Sequence, residues 1–328
     1  MGRILVTGGA GFIGSHVCDA LLARGDEVFC LDNFNDYYVQ ECGARFSTRK
    51  EANILEAEKS PNFRSIRADV TEDWSPVRNT FTNRVDAVVH LAARAGVRAS
   101  LKDSKLYLDT NVDGTLNILR IAYASGVRRF VIASSSSVYG TNPEIPWSED
   151  LTLGRPESPY AESKQAMEAA CMRFQQDRAQ DASFVILRFF TVYGPRGRPD
   201  MAPYLFADSI SKGLPISKFG DGTTQRDYTY VDDIVNGVVR ALDVRYPFEI
   251  FNLGNHKPVT LNRFIEVVEG AVGKKAVIEQ HPSQQGDVPV TYADISKAER
   301  LLGWKPTTTI EEGMKKFVEW YRAHDPAE

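Results

Sequence analysis

The short apolar run Ile4-Leu5-Val6 breaks directly into Thr7-Gly8-Gly9-Ala10-Gly11-Phe12-Ile13-Gly14, and no other feature restricts the fold so tightly. Gly8 allows a tight turn, Gly11 lets a backbone approach a pyrophosphate, and Gly14 lets a helix pack closely on the preceding strand. The helix that opens at Phe12 and Ile13 would face an anion with unpaired N–H groups. A glycine-rich turn alone is weak evidence. Here it sits between a strand and a helix, and Asp32-Asn33 closes a second strand about 20 residues on, as the dinucleotide fingerprint requires. A carboxylate at Asp32 accepts from a ribose diol and repels a 2′-phosphate, which points to NAD rather than NADP.

Strand-like runs at Ile4–Thr7, Glu27–Leu31, Phe63–Arg67, Ala87–His90, Phe130–Ala133 and Phe184–Phe189 alternate with helical patterns such as Gly14–Arg24, Leu106–Ser125 and Glu157–Arg178. That alternation predicts an α/β fold, a Rossmann-type doubly wound parallel sheet. Past residue 190 the texture changes: Gly and Pro crowd into Tyr193-Gly194-Pro195-Arg196-Gly197-Arg198-Pro199, and short elements mix. The division expected is a dinucleotide-binding domain over 1–190 and a smaller mixed α/β substrate lobe over 191–328, the chain re-entering the first in places. Ser296-x-x-Glu299 and Thr309-x-x-Glu312 read as capping-box helix starts.

Net charge of −4 and a pI near 5.8 leave no basic footprint for nucleic acid. The first strand begins almost at Met1, which leaves no room for a signal peptide, and no apolar stretch is long enough to span a bilayer. Cys18, Cys30, Cys42 and Cys171 have no CxxC or finger spacing and the histidines no zinc motif, so reduced thiols, no metal and a cytoplasmic location are expected.

Tyr160-Ala161-Glu162-Ser163-Lys164 places a phenol and an ammonium four residues apart, on one face of a helix. A phenol with pKa near 10 is a poor base at neutral pH, and a nearby Lys⁺ and nicotinamide cation would favour the phenolate. In a chain with 13 tyrosines that spacing decides nothing alone. Its companion is the hydroxyl run Ser134-Ser135-Ser136-Ser137 before Val138-Tyr139-Gly140, at the end of a buried strand. Asp69-Val70 and Leu91-Ala92-Ala93 follow two other strands, where an adenine and a cofactor backbone would lie.

Taken together these motifs resemble the extended short-chain dehydrogenase/reductases that act on nucleotide sugars, and the resemblance runs along the whole chain. It implies a tightly held NAD regenerated at each turnover, a Ser135/Tyr160/Lys164 catalytic set, and Ser136 and Ser137 as substrate contacts. Asn111 matches a position that supports the active site and is grouped with the cofactor residues. Dehydratases of that family carry Asp-Glu, and decarboxylases an acid, where this chain has Ser136-Ser137. Elimination needs an acid and a base beyond the tyrosine, so plain epimerisation is implied.

Asp32-Asn33-Phe34-Asn35-Asp36-Tyr37-Tyr38, Ala95-Gly96-Val97-Arg98 and Arg188 to Met201 are similar to the uronate branch, the UDP-glucuronate 4-epimerases. A C6 carboxylate suits a guanidinium and a hydroxyl, so Arg198 with Thr191 is the expected anchor and Arg98 a second. The alternatives are C4 epimerisation of UDP-glucose or UDP-N-acetylglucosamine, then UDP-glucuronate decarboxylation; an NAD-sensing protein without chemistry is a further class. The resemblance also implies Arg226 at the diphosphate, Ser217 and Phe219 at the uracil, and Gln284 where many relatives have a second phosphate arginine. Thr291 stands where some hexose epimerases narrow the sugar pocket with tyrosine, so an N-acetyl group would fit. A homodimer is implied through helices near 100–125 and 157–178, with Leu106, Leu108, Leu116, Leu119, Ala166 and Ala169 as seam candidates.

Overall fold

Side chains along the early strands alternate between two apolar layers, and this alternation sets the architecture. The strands are β1 (Arg3–Thr7), β2 (Glu27–Asp32), β3 (Phe63–Arg67), β4 (Ala87–His90), β5 (Arg129–Ser135) and β6 (Ser183–Phe189). Ile4, Val6, Val131, Val185 and Leu187 join one buried cluster, while Leu5, Phe130, Ile132, Phe184 and Ile186 join the other. Strands buried on both faces belong in a parallel sheet with helices on either side. The computed structural model, which describes residues 2–43, 49–72, 85–283 and 288–324, contains such a sheet.

Later in the chain come β7 (Thr191–Tyr193), β8 (Pro215–Phe219), β9 (Gln225–Arg226), β10 (Tyr228–Tyr230), β11 (Phe248–Leu253), β12 (Val259–Thr260) and β13 (Val277–His281). The seven-stranded sheet has the order β11-β6-β5-β4-β1-β2-β3, parallel throughout. The chain steps outward from β1 to β3 and then returns to the other side of β1, so a crevice opens beyond the carboxyl ends of β1 and β4. β7 pairs with β10, β8 with β13 and β9 with β12, and these short pairs lie beside that crevice.

All six sequence-read strands are present, and β5 extends to Ser135. β11 was not read; Glu249 and Asn252 interrupt its apolar residues, yet it completes the sheet beside β6. Helix Pro159–Arg178 starts where Ser158 Oγ accepts from Ala161 N at 3.1 Å, with Pro159 in the first turn. The expected helix Leu106–Ser125 is instead two, Ser104–Leu108 and Thr115–Ala124, joined by a widened π turn over Asp109–Gly114. Thr115 Oγ1 donates to Asn111 O inside that turn at 2.7 Å, and a Cβ on Gly114 would lie 2.7 Å from Val70. A side chain bonded into the backbone ladder and a tight tertiary contact account for the widening. Thr309 and Glu312 form the expected capping box, but Ser296 does not: its N–H goes to Asp294 Oδ1 and it lies inside the first turn. Among the described residues no helix is long and apolar enough to cross a membrane.

Candidate active site

A cleft of about 1060 Å³ runs along the carboxyl edge of the sheet and is closed on the far side by the segments around β8 to β12. The glycine turn forms one end. A Cβ on Gly14 would sit 2.1 Å from Gly8 O, and one on Gly8 would sit 2.8 Å from Ala92 N, so helix, turn and the loop after β4 touch by backbone alone. Gly11, Phe12, Ile13, Leu91, Ala92 and Ala93 line the same end, as do Asp69 and Val70. Asp32, 5% exposed, accepts from Ala10 N and Phe34 N and pairs with Lys50 at 3.0 Å. Asn33 donates to Asp69 at 2.6 Å, tying the second strand's end to the third's. This bare backbone cradle with a carboxylate beyond it fits a dinucleotide with free ribose hydroxyls.

Under the cradle lies a closed polar chain. Ala92 N–H donates to Thr7 Oγ1, and Thr7 meets His90 Nδ1 at 2.7 Å. Because Thr115 Oγ1 donates to Asn111 O, it accepts from His90 Nε2, which assigns the ring proton to Nε2. Burial, and then Lys164, push His90 down to about 3, so it stays neutral. Asn111 continues the chain: it accepts from Arg94 N and donates to Arg94 O and Ser163 Oγ. It is fully buried and absent from the cleft wall, which corrects its grouping with cofactor contacts: it fixes the loop and the helix that make them.

Tyr160, Ser135, Ser136, Ser137 and Lys164 line the middle of the cleft. Burial raises the Tyr160 phenol, while hydrogen bonds from Ser135 and Ser137 and the charge of Arg198 pull it back. The two serine hydroxyls lie 2.7 Å apart, so Ser137 reaches the phenol as well as Ser135. The sequence reading had given it to substrate alone. Lys164 differs from expectation: its Nζ donates to Ala133 O at 2.9 Å, and Arg198 is the cation acting on Tyr160. Burial pushes Lys164 down to about 8.

Thr191 opens β7 on the cleft wall and Arg198 lies on the loop after it. Arg198 donates to Asp200 through Nε at 3.0 Å and Nη2 at 2.5 Å, and Tyr37 Oη donates to the same carboxylate. Burial opposes the charge on Asp200, yet Arg198 outweighs it and holds the carboxyl below its usual range. Ser217, Phe219 and Arg226 line the other end. Phe219 stacks on His281 with centroids 5.1 Å apart, and the Arg98 guanidinium lies 5.7 Å from its ring. Arg226 Nη1 donates to the Gln225 and Val288 carbonyls. Thr291 is withdrawn from the cleft wall: it is 8% exposed and its hydroxyl accepts from Asp227 N. Gln284 lies outside the described residues.

Sequence reasoning missed Lys50, which no motif marks, and passed over Tyr37 and Asp200 inside segments it had quoted. It also missed Glu168, whose buried carboxylate takes the Nε and Nη2 edge of Arg188 at 3.0 and 2.7 Å under β5.

Residues 4–254 match the NAD dependent epimerase/dehydratase family. A protein of Thermodesulfobacterium geofontis named UDP-glucuronate 4-epimerase is 45% identical over 323 residues, 98% of this chain and 96% of that protein. The crystal structure of UDP-glucuronic acid 4-epimerase from Bacillus cereus, in complex with UDP-glucuronic acid and NAD, superposes with a TM-score of 0.88 at 35% identity, covering 98% of this chain and 99% of that one. A UDP-glucose 4-epimerase of Thermotoga maritima with UDP-glucose superposes at 0.85 with 31% identity, over 98% and 99% of the two chains.

Proposed function

Because the chain belongs to the NAD dependent epimerase/dehydratase family, we propose that it interconverts the C4 epimers UDP-glucuronate and UDP-galacturonate through a 4-keto sugar. The observation that carries the reading is Arg198, a guanidinium only 17% exposed that lines the same cleft as Thr191 and Tyr160. A sugar carboxylate two bonds from the reacting C4 needs its counter-ion near the catalytic phenol. The cradle at Gly8, Gly11 and Gly14, with Asp32, holds the NAD, which when bound supplies a reversible hydride acceptor for C4.

The chain's own residues manage the proton. Tyr160 takes it from the 4-hydroxyl and returns it to the opposite face once the sugar has turned about its phosphate link. Ser135 and Ser137 hold the phenol and stabilise its anion, and Ser136 contacts the sugar. Lys164, beside the strand end at Ala133, adds positive charge to the floor of the site. Arg198 and Thr191 hold the C6 carboxylate near the plane of the 4-keto group, which suppresses loss of CO₂. Arg98, Arg226, Ser217 and Phe219 take the UDP end. Among the described residues, the only cleft-lining acids are Asp32, Asp69 and Asp200, so the serine run offers no carboxylate for elimination.

This reading includes a division into 1–190 for the dinucleotide and 191–328 for the sugar nucleotide, a cytoplasmic location and a homodimer. Of the seam candidates, Leu108 is exposed, Leu106 and Leu116 are half-buried, and Leu119 is fully buried against the sheet. Exposed Met172 extends the apolar surface of helix Pro159–Arg178. The deciding experiment incubates purified protein with UDP-glucuronate, UDP-glucose or UDP-N-acetylglucosamine, without added cofactor, and resolves products by NMR. UDP-galacturonate alone is expected. Turnover of neutral sugars only would refute the uronate assignment, and a pentose product would refute the reading of Ser136-Ser137.

A further inference from the structure

Arg198 is held by groups that no step above uses. Asp200 occupies the Nε and Nη2 edge of its fork, and the pair is mostly withdrawn from water, with side chains 17% and 21% exposed. Tyr37 Oη donates at 3.2 Å to Asp200 Oδ2, the same oxygen that accepts from Arg198 Nη2. Burial, and then Asp200, push the Tyr37 phenol up, so it remains a proton donor. The third side is Gly96, at φ +112°: a Cβ there would lie 3.2 Å from both Arg198 Nη2 and Tyr37 Oη. Tyr37 belongs to the connection from β2 to β3, which also carries Lys50, the partner of Asp32. Arg49 from the same connection donates to Gly197 O at 3.0 Å, one residue before Arg198. One stretch of chain thus grips both the ribose acid and the loop that carries the guanidinium.

On the uronate reading above, we propose that Asp200 and Tyr37 are positioning residues that make Arg198 selective for a carboxylate-bearing sugar. A free arginine side chain has many rotamers, and ordering it on binding costs affinity. With one edge of its planar fork fixed by Asp200, the guanidinium is oriented before the sugar arrives and presents its Nη1 end. Asp200 also repels an incoming carboxylate, so its own substitution mixes two effects. Tyr37→Phe removes a single hydroxyl and leaves every charge in place, which isolates the positioning.

The test uses the holoenzyme of wild type, Tyr37→Phe and Asp200→Asn. It measures kcat and KM for UDP-glucuronate, and the inhibition constants of UDP-glucose and UDP. Tyr37→Phe is expected to raise KM for UDP-glucuronate about three- to tenfold with kcat within about twofold, the mark of a lost binding contribution. Asp200→Asn is expected to lower the preference for the uronate over UDP-glucose as well, and both inhibition constants should stay at wild-type values. If both variants keep the wild-type KM for the uronate, the proposal is overturned. A parallel rise in KM and in both inhibition constants also overturns it, since that reports a collapsed lobe rather than a misplaced guanidinium. Failure of the wild type to turn over UDP-glucuronate would instead remove the functional reading itself.

Discussion

Replacing Lys164 by methionine should make the protein more stable while abolishing its activity. Lys164 is 3% exposed, and its Nζ has Ala133 O at 2.9 Å and Met167 Sδ at 3.9 Å. Burial lowers its pKa from 10.5 to about 8. At 1.36 kcal/mol per pH unit, that shift corresponds to a cost of about 3 kcal/mol for keeping the charge in the fold. Below pH 8 the folded and unfolded chains are both protonated and the fold bears the full cost. Between about 8 and 10.5 the unfolded chain binds more protons, so wild-type stability from this group rises with pH. Methionine has similar length and no charge, but leaves Ala133 O without its side-chain donor, at about 1 kcal/mol. The expected net gain is about 1–3 kcal/mol at pH 7, shrinking as pH approaches 10. Urea denaturation of cofactor-stripped wild type and Lys164→Met at pH 7, 8.5 and 10 measures it, since bound NAD would add its own linkage. A methionine variant less stable at pH 7, or a gap that does not change with pH, would refute the reasoning.

Gly14→Ala should release NAD, because its Cβ would lie 2.1 Å from Gly8 O; nucleotide freed on heat denaturation, quantified by absorbance, checks this. Glu168→Gln leaves the buried Arg188 without its counter-charge and should destabilise the fold by about 3–5 kcal/mol, read from the urea midpoint. Tyr160→Phe should lower kcat by about 10²–10⁴ while UDP-sugar binding, followed by calorimetry, changes little.

The early sheet was legible because β1, β2, β4, β5 and β6 carry short apolar runs rich in β-branched and aromatic residues, with only Phe63 and Ile66 marking β3, and the glycine turn because steric need leaves few substitutes at Gly8 and Gly14. What the sequence hid depends on contacts between distant residues. The π turn at Asp109–Gly114 arises partly where Gly114 meets Val70, about which local periodicity is silent. Ser137 reaches Tyr160 because a short turn after β5 folds the hydroxyl run back on itself, bringing Ser135 and Ser137 together. Lys164 was expected beside the phenol from its spacing; a four-residue offset fixes a helix face but not which acceptor a long side chain finds. Thr291 was read from a pairing of positions, and only the fold shows its hydroxyl committed to Asp227 N.

The place of β11 has a consequence for how such a chain is made and remade. Residues 248–253 lie far along the sequence, yet they form the outermost strand of the sheet and cover β6 by pairing with its last six residues, from Phe184 to Phe189. Until the ribosome has delivered that strand, β6 presents an open row of amide and carbonyl groups, the kind of margin that invites pairing with another chain. A graft that exchanges residues 191–328 between relatives must therefore carry a β11 matched to the recipient's β6. A chimera cut simply at residue 190 would import the rim of someone else's sheet.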